Sequence, residues 1–241
     1  MARILITGSA DGLGQLAAKS LADQGHTVVL HARNAERARY AQQHVPAAAH
    51  ILIGDLSDRD ETRNVAEQAN AWGTFDAVIH NAGVYDASPQ DILTVNTLAP
   101  YILTCLIHPP QRLIYLGSSM HRQGHARLEH LQRGISYSDS KLYVVLLCMT
   151  VARKWREVYA NAVNPGWVPT KMGRRGAPDD LHQGYETQCW LAVSNDSQAK
   201  VSGRYFYHCA QERPHPQASD TALQEQFLSI CADITGISFP A

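Results

Sequence analysis

Residues 3–14 read RILITGSADGLG. An apolar run at 4–7 leads at once into Gly8, Gly12 and Gly14, spaced G-x-x-x-G-x-G, and an Ala- and Leu-rich stretch at 14–23 follows. The first run has the composition of a strand and the last that of a helix. Between them glycine permits a tight turn and close backbone approach, and the helix N-terminus offers unpaired N–H groups to a pyrophosphate. Strand, glycine turn and helix in this order predict the start of a dinucleotide-type α/β fold, although the spacing is not G-x-G-x-x-G.

The pattern repeats outward. Strand-like runs are read at 4–7, 27–30, 50–53, 76–80, 112–116, 162–164 and 204–207, with helix-tolerant segments at 14–23, 35–44, 60–70, 89–107 and 138–155. Such alternation predicts an α/β, doubly wound parallel sheet of about seven strands with helices on both faces. Ser57 followed by Asp60 predicts a helix N-cap at Ser57. With 241 residues, 45% of them hydrophobic, residues 1–241 are read as one domain. The least regular stretches are 171–200 and 211–217, and 167–200 is read as a substrate lid.

A formal net charge of -1 gives no reason to expect nucleic acid or an anionic membrane as partner, which leaves small molecules. Five scattered cysteines without a C-x-x-C pair argue against a disulfide framework and a zinc knuckle, and fit a cytoplasmic location. The chain starts directly with a strand-like run, without a secretory pattern, and its longest apolar stretch, 142–152, is too short to span a bilayer. His121 and His125 lie close in sequence, but no carboxylate or thiolate joins them at metal-site spacing, so no metal is expected.

Residues 134–145, GISYSDSKLYVV, place Tyr137 four residues before Lys141, one helical turn apart. One reading is an exposed pair on an amphipathic helix. The other is a phenol made acidic: an ammonium about 5 Å away, at an effective dielectric of about 20, contributes on the order of 3 kcal/mol. That is nearly enough to lower a tyrosine pKa by ~2 units.

TGSADGLG at 7–14, HNAG at 80–83, Ser118–Ser119, YSDSK at 137–141 and NPG at 164–166 occur in one order along most of the chain. Together they resemble the short-chain dehydrogenase/reductase family. That resemblance implies a Rossmann fold in which Tyr137 is the general acid/base and Lys141 lowers its pKa and binds the nicotinamide ribose. It further implies that Ser119, with Ser118 as the alternative, polarises the substrate carbonyl, and that Asn96 anchors a water linked to Lys141.

The same resemblance assigns the cofactor turn to Gly8, Ser9, Asp11, Gly12, Leu13 and Gly14, and the cleft wall to Asn81, Ala82 and Gly83. His80, in place of a common asparagine, is read as a packing variant. Asp55 and Leu56 would flank the adenine, and Asp55 also suits a turn. Pro165, Gly166, Val168 and Thr170 would border the nicotinamide. After the second predicted strand, Ala32 stands where a carboxylate would favour NAD(H), and Arg33 follows, which predicts NADP(H) through charge-assisted bonds to a 2′-phosphate.

Ser119 precedes Tyr137 by 18 residues, more than in many members. The inserted MHRQGHARLEHLQRG resembles the longer loop of retinol-dehydrogenase-like members and is expected beside the substrate mouth. NPGWVPTKMG is similar to bacterial ketoreductases. The expected function is interconversion of a carbonyl and an alcohol. A non-catalytic NADP-binding regulator and an epimerase or dehydratase of the same fold are the alternatives. Trp167, Met172, Tyr185 and Trp190 suggest a pocket for a bulky, poorly charged substrate. The apolar helix around 142–155 demands burial on several sides, and the resemblance implies a homodimer or homotetramer built on it.

Overall fold

In the computed structural model, which describes residues 1–240, β1 (Arg3–Ile6) lies inside one sheet of eight strands. The others are β2 (Thr27–Ala32), β3 (His50–Ile53), β4 (Ala77–His80), β5 (Arg112–Leu116), β6 (Tyr159–Asn164), β7 (Arg204–Tyr207) and β8 (Ala210–Glu212). Their order is β3-β2-β1-β4-β5-β6-β7-β8, parallel except for the last pair. The chain leaves β1 toward β2 and β3, then crosses to β4 on the other side. In such sheets the strand ends diverge at this point and leave a crevice for ligand.

Alternation along β1 builds two cores. Leu5 joins Val29, Val78 and Leu113 on one face, and Ile4 and Ile6 join Val28, Leu30, Ile79 and Ile114 on the other. The second face is covered by α1 (Gly12–Asp23), α2 (Ala35–His44) and α7 (Leu181–Val193). The first is covered by α3 (Arg59–Ala71), α4 (Pro89–Leu93), α5 (Ala99–Leu106) and α6 (Tyr137–Lys154). A final helix, α8 (Thr221–Thr235), lies outside α6.

The predicted helix over 89–107 is interrupted. A π turn, Thr94–Leu98, joins α4 to α5. Pro100 has no N–H, and in an α-helix its ring would meet the carbonyl of Asn96 four residues back. A widened turn relieves that conflict and is a common device at functional sites. The N-cap of α3 is Asp58, which accepts from the N–H groups of Asp60 and Glu61, rather than Ser57, whose hydroxyl is bonded to Asp55.

Besides α7, two elements after β7 lie outside the predicted pattern. β8 is reached through a hairpin in which His208 (φ 47°) and Cys209 (φ 59°) are left-handed, a conformation that Gly or Asn usually signals. The other is α8, which runs through the C-terminal part where no helix was expected. Within 167–200, the stretches before and after α7 are irregular. α7 is a regular helix packed on α1, with Gly184 against Leu13 and Val168.

The apolar helix α6 is buried from Ser140 to Val151 within a single chain. Tyr143 stacks on Phe227 of α8 at 5.5 Å, and Arg153 donates to Gln224 at 2.8 Å. Trp155 meets Phe239, and Tyr101 donates to the Ile237 carbonyl at 2.7 Å. The chain's own C-terminal segment thus packs on α6, the helix on which the resemblance places an assembly. No helix among the described residues is long and apolar enough to cross a membrane.

Candidate active site

The glycine turn at the end of β1 is fitted against the end of β4. A Cβ on Gly8 would lie 2.8 Å from the Ala82 backbone, and one on Gly14 would lie 2.7 Å from the Gly8 carbonyl and collide with the Asn81 amide. Gly12, with φ +57°, faces open space. Asn81 clamps the two strand ends together, donating to the carbonyls of Thr7 at 2.9 Å and Gly8 at 3.1 Å. The Asp11 side chain does not cap α1 and is instead paired with Arg37 and, at 3.1 Å, Lys171. The N-terminus of α1 at the switch point is therefore without a side-chain cap, beside the open space at Gly12. This cradle fits a pyrophosphate.

Across the crevice, the N-terminus of α6 presents Tyr137, capped by Ser136, which accepts from Asp139 at 3.1 Å. Lys141, one turn on, is buried and has its Nζ 5.5 Å from the Tyr137 ring centre. It donates to the Leu116 carbonyl at 2.8 Å. A Cβ on Gly83 would lie 3.5 Å from that Nζ and 3.3 Å from Asn96 Oδ1, so the glycine keeps space open beside the amine.

Burial depresses Lys141 to about 8. It also raises Tyr137 to about 12, against a smaller lowering by Ser118. The direction is opposite to the lowered phenol predicted from spacing. Desolvation is the largest cause, and Tyr85 adds to the rise. Tyr85 stands edge-on to the Tyr137 ring at 4.8 Å.

Ser118, not Ser119, is the serine whose side chain meets the phenol. Ser119 is exposed, and its N–H donates to Asn164 Oδ1 at 3.2 Å. The family resemblance points to the second serine by its place in the sequence alone. Here the chain turns immediately into a 3₁₀ turn, Ser119–Gln123, which carries Ser119 away. Asn96, in the π turn, accepts from the Val84 N–H at 2.8 Å and donates to the Val84 carbonyl and to Ser140 Oγ at 2.9 and 3.1 Å. It ties the loop after β4 to α6 beside Lys141.

The remaining predicted residues differ in their surroundings. Arg33 is exposed at the end of β2, with no ion pair among the described residues, whereas Arg37 is committed to Asp11. Asp55 accepts from the Ser57 N–H and hydroxyl, a local turn. Leu56 is buried, and Ser9 is consumed internally, bonding Ile6 and His31. Pro165 and Gly166 follow β6, with the Gly166 N–H on Asn164 Oδ1 at 3.1 Å. Val168 is buried, and Thr170 uses its hydroxyl to accept from Gly173. Trp190 packs edge-on against Phe206 in the core, away from the mouth where it was expected. His80 is buried and stacked on Tyr115 at 4.8 Å, as a packing residue.

Three supporting residues were assigned no role: His31 carries no motif signal, and Thr7 and Asn164 lie at the edges of quoted motifs. His31 accepts from the Gly8 N–H through Nδ1 at 3.0 Å and donates from Nε2 to the Gly54 carbonyl at 2.9 Å, which fixes a neutral ring under the turn. Its burial lowers its pKa. Thr7 Oγ1 accepts from the N–H groups of Asn81 and Ala82. Asn164 bridges the ends of β5 and β6. Partners this distant in sequence can be named only once the strand order is known.

Comparison with known proteins agrees with this architecture. The short chain dehydrogenase family pattern matches residues 2–180. The chain is 44% identical to an uncharacterized oxidoreductase of Emericella nidulans, over 100% of this chain and 99% of the relative. It is 43% identical to a short-chain dehydrogenase of Penicillium rubens, over the full length of both. A short-chain dehydrogenase structure from Shigella flexneri 2a, complexed with NADP, superposes with a TM-score of 0.69 at 25% identity, over 87% of this chain and 97% of that one. The chain belongs to the short-chain dehydrogenase/reductase family and is an oxidoreductase of the nicotinamide-dependent type.

Proposed function

We propose that the protein is an NADP(H)-dependent reductase or dehydrogenase that interconverts a ketone or aldehyde and an alcohol on a bulky, largely apolar small molecule. The observation that carries this reading is the convergence of Tyr137, Lys141, Ser118 and Asn96 at the mouth of the uncapped glycine turn.

Bound nicotinamide supplies or accepts the hydride. The N-terminus of α1 would hold the pyrophosphate, Lys141 the ribose and Arg33 the 2′-phosphate. Ser118 would orient the carbonyl oxygen, and Tyr137, protonated at neutral pH by its raised pKa, would donate its proton to that oxygen in reduction. In oxidation the phenol must lose its proton, which needs positive charge beyond Lys141. Exposed Tyr85, Trp167 and Met172 support an apolar substrate. The Arg174–Asp86 pair, at 2.9 Å, draws the segment bearing Trp167 and Met172 toward the loop bearing Tyr85.

Calorimetric titration with NADPH and NADH tests the cofactor. NADPH should bind roughly tenfold or more tightly than NADH, and Arg33→Ala should erase the difference. A screen of aryl ketones against NADPH oxidation then tests the chemistry. Tyr137→Phe should lose on the order of 10²–10⁴-fold in kcat while still binding NADPH. Binding of neither nucleotide would overturn the reading.

A further inference from the structure

His121 is fully buried in the inserted loop, yet nothing in the proposed chemistry uses it. Its Nδ1 lies 2.7 Å from the carbonyl oxygen of Ser118, so that nitrogen carries the proton and donates. Its Nε2 lies 3.1 Å from the His215 backbone N–H, so that nitrogen is bare and accepts. The two partners together allow only the neutral ring, with the proton on Nδ1. The ring face rests on Tyr205 of β7, 4.5 Å between centres. This histidine thus joins the residue whose side chain meets Tyr137 to the segment that begins the C-terminal cover.

The loop around it is held to the same segment. Arg122 pairs with Glu212 at 2.6 Å, and the Ala126 N–H donates to Gln217 at 3.2 Å. On its other side the His125 N–H donates to Asp139 of α6 at 2.7 Å, and a Cβ on Gly124 would strike the Ser138 carbonyl. The insertion is therefore a strap between the first turn of α6 and the β8 region, with His121 at its buried end.

We infer that His121 is a positioning residue: it fixes the Ser118 backbone, and with it the Ser118 hydroxyl against Tyr137, through a neutral ring that a proton would break. This inference rests on the proposed reductase reading for its kinetic consequence. A second proton on Nε2 would set two N–H donors against each other, lose the His215 bond and free the Ser118 end. The groups facing the ring are Ser118 and Arg122 from its own turn, Glu212 from β8, Tyr205 from β7 and His215. Burial lowers its pKa foremost, the Ser118 carbonyl opposes that, Arg122 and His215 add to the lowering, and Glu212 opposes it. The ring therefore stays neutral at pH 7, and the loss appears only as pH falls below the ordinary histidine range.

The test uses the full chain, with NADPH and 2-acetylnaphthalene as the probe ketone, and ¹⁵N NMR of the histidine rings. Tyr137→Phe serves as the control for the underlying reading, because residual full activity there would sink the reductase mechanism and not the strap. His121→Phe should lower kcat roughly tenfold or more, with NADPH affinity within about twofold of wild type. His121→Asn keeps an amide donor on the Ser118 carbonyl and cannot titrate, so it should recover part of kcat and abolish the acid limb of the pH profile. His215→Asn leaves its backbone N–H in place and should keep that limb. NMR should find His121 protonated at Nδ1 alone at pH 7, whatever the ketone does. The inference is overturned by a ring protonated at Nε2, by an acid limb unchanged in His121→Asn, or by His121→Phe losing activity only in step with NADPH binding and melting temperature.

Discussion

Lys141 is charged at the expense of its surroundings. Its amine is buried and donates to the Leu116 carbonyl, and its pKa falls to about 8 from an unfolded value near 10.5. A depressed folded pKa means that the unfolded chain binds the proton more tightly between those values, so stability rises with pH through that window. Wild type should gain about 2 kcal/mol between pH 7.5 and 9.5 relative to Lys141→Met, as read by urea unfolding of both proteins at the two pH values. Equal pH dependence would show that Lys141 is not desolvated. At the serine pair the prediction is kinetic. Ser118→Ala should cost roughly 10²-fold in kcat, while Ser119→Ala stays within about threefold. Tyr137 and Lys141 were legible because one helical turn fixes their relation locally. Ser118 and the direction of the Tyr137 shift were not, because the first depends on how the chain leaves β5 and the second on burial by distant residues.

At the scale of elements, local chemistry marks some boundaries and tertiary packing decides the others. The strands β1 to β7 and the helices α1, α2, α3 and α6 announce themselves by period and composition. The cap of α3 was misplaced by one residue, since Ser57 and Asp58 are both good caps and the Asp55 turn consumes the serine hydroxyl. Asp58→Ala should therefore lower Tm more than Ser57→Ala, as read by calorimetry. The π turn was hidden because Pro100 reads as a mere irregularity unless its clash with Asn96 is considered. The hairpin into β8 was hidden because His208 and Cys209 adopt a turn conformation without the residues that advertise it. The inserted loop could be located in sequence, but its docking on Glu212, His215 and Gln217 follows from the placement of β8 beside β7.

Across the whole molecule, the decisive relation is between α6 and α8. An apolar helix in sequence states only that something must cover it, and the cover can be a second copy or a later part of the same chain. Here the later part does so: Phe227 is fully buried on Tyr143, Cys231 and Leu228 are buried nearby, and Arg59 and Arg63 of α3 donate to the carbonyls of Ile234 and Thr235 at the end of α8. Those arginines sit where the C-terminal dipole of α8 favours positive charge. Any assembly through α6 would have to expel α8 and leave this surface exposed. Light scattering at micromolar concentration should find a monomer if α8 stays seated on α6, and a homodimer or homotetramer built on α6 if it does not. Phe227→Ala should cost about 3–5 kcal/mol in urea unfolding, because it opens a cavity against Tyr143. If α8 is a true part of the core, the variant should unfold in a single transition with lowered stability. A variant that keeps wild-type stability, or a wild-type dimer that loses α8 protection from hydrogen exchange, would show that α8 is a detachable cover and that α6 is available to a second copy.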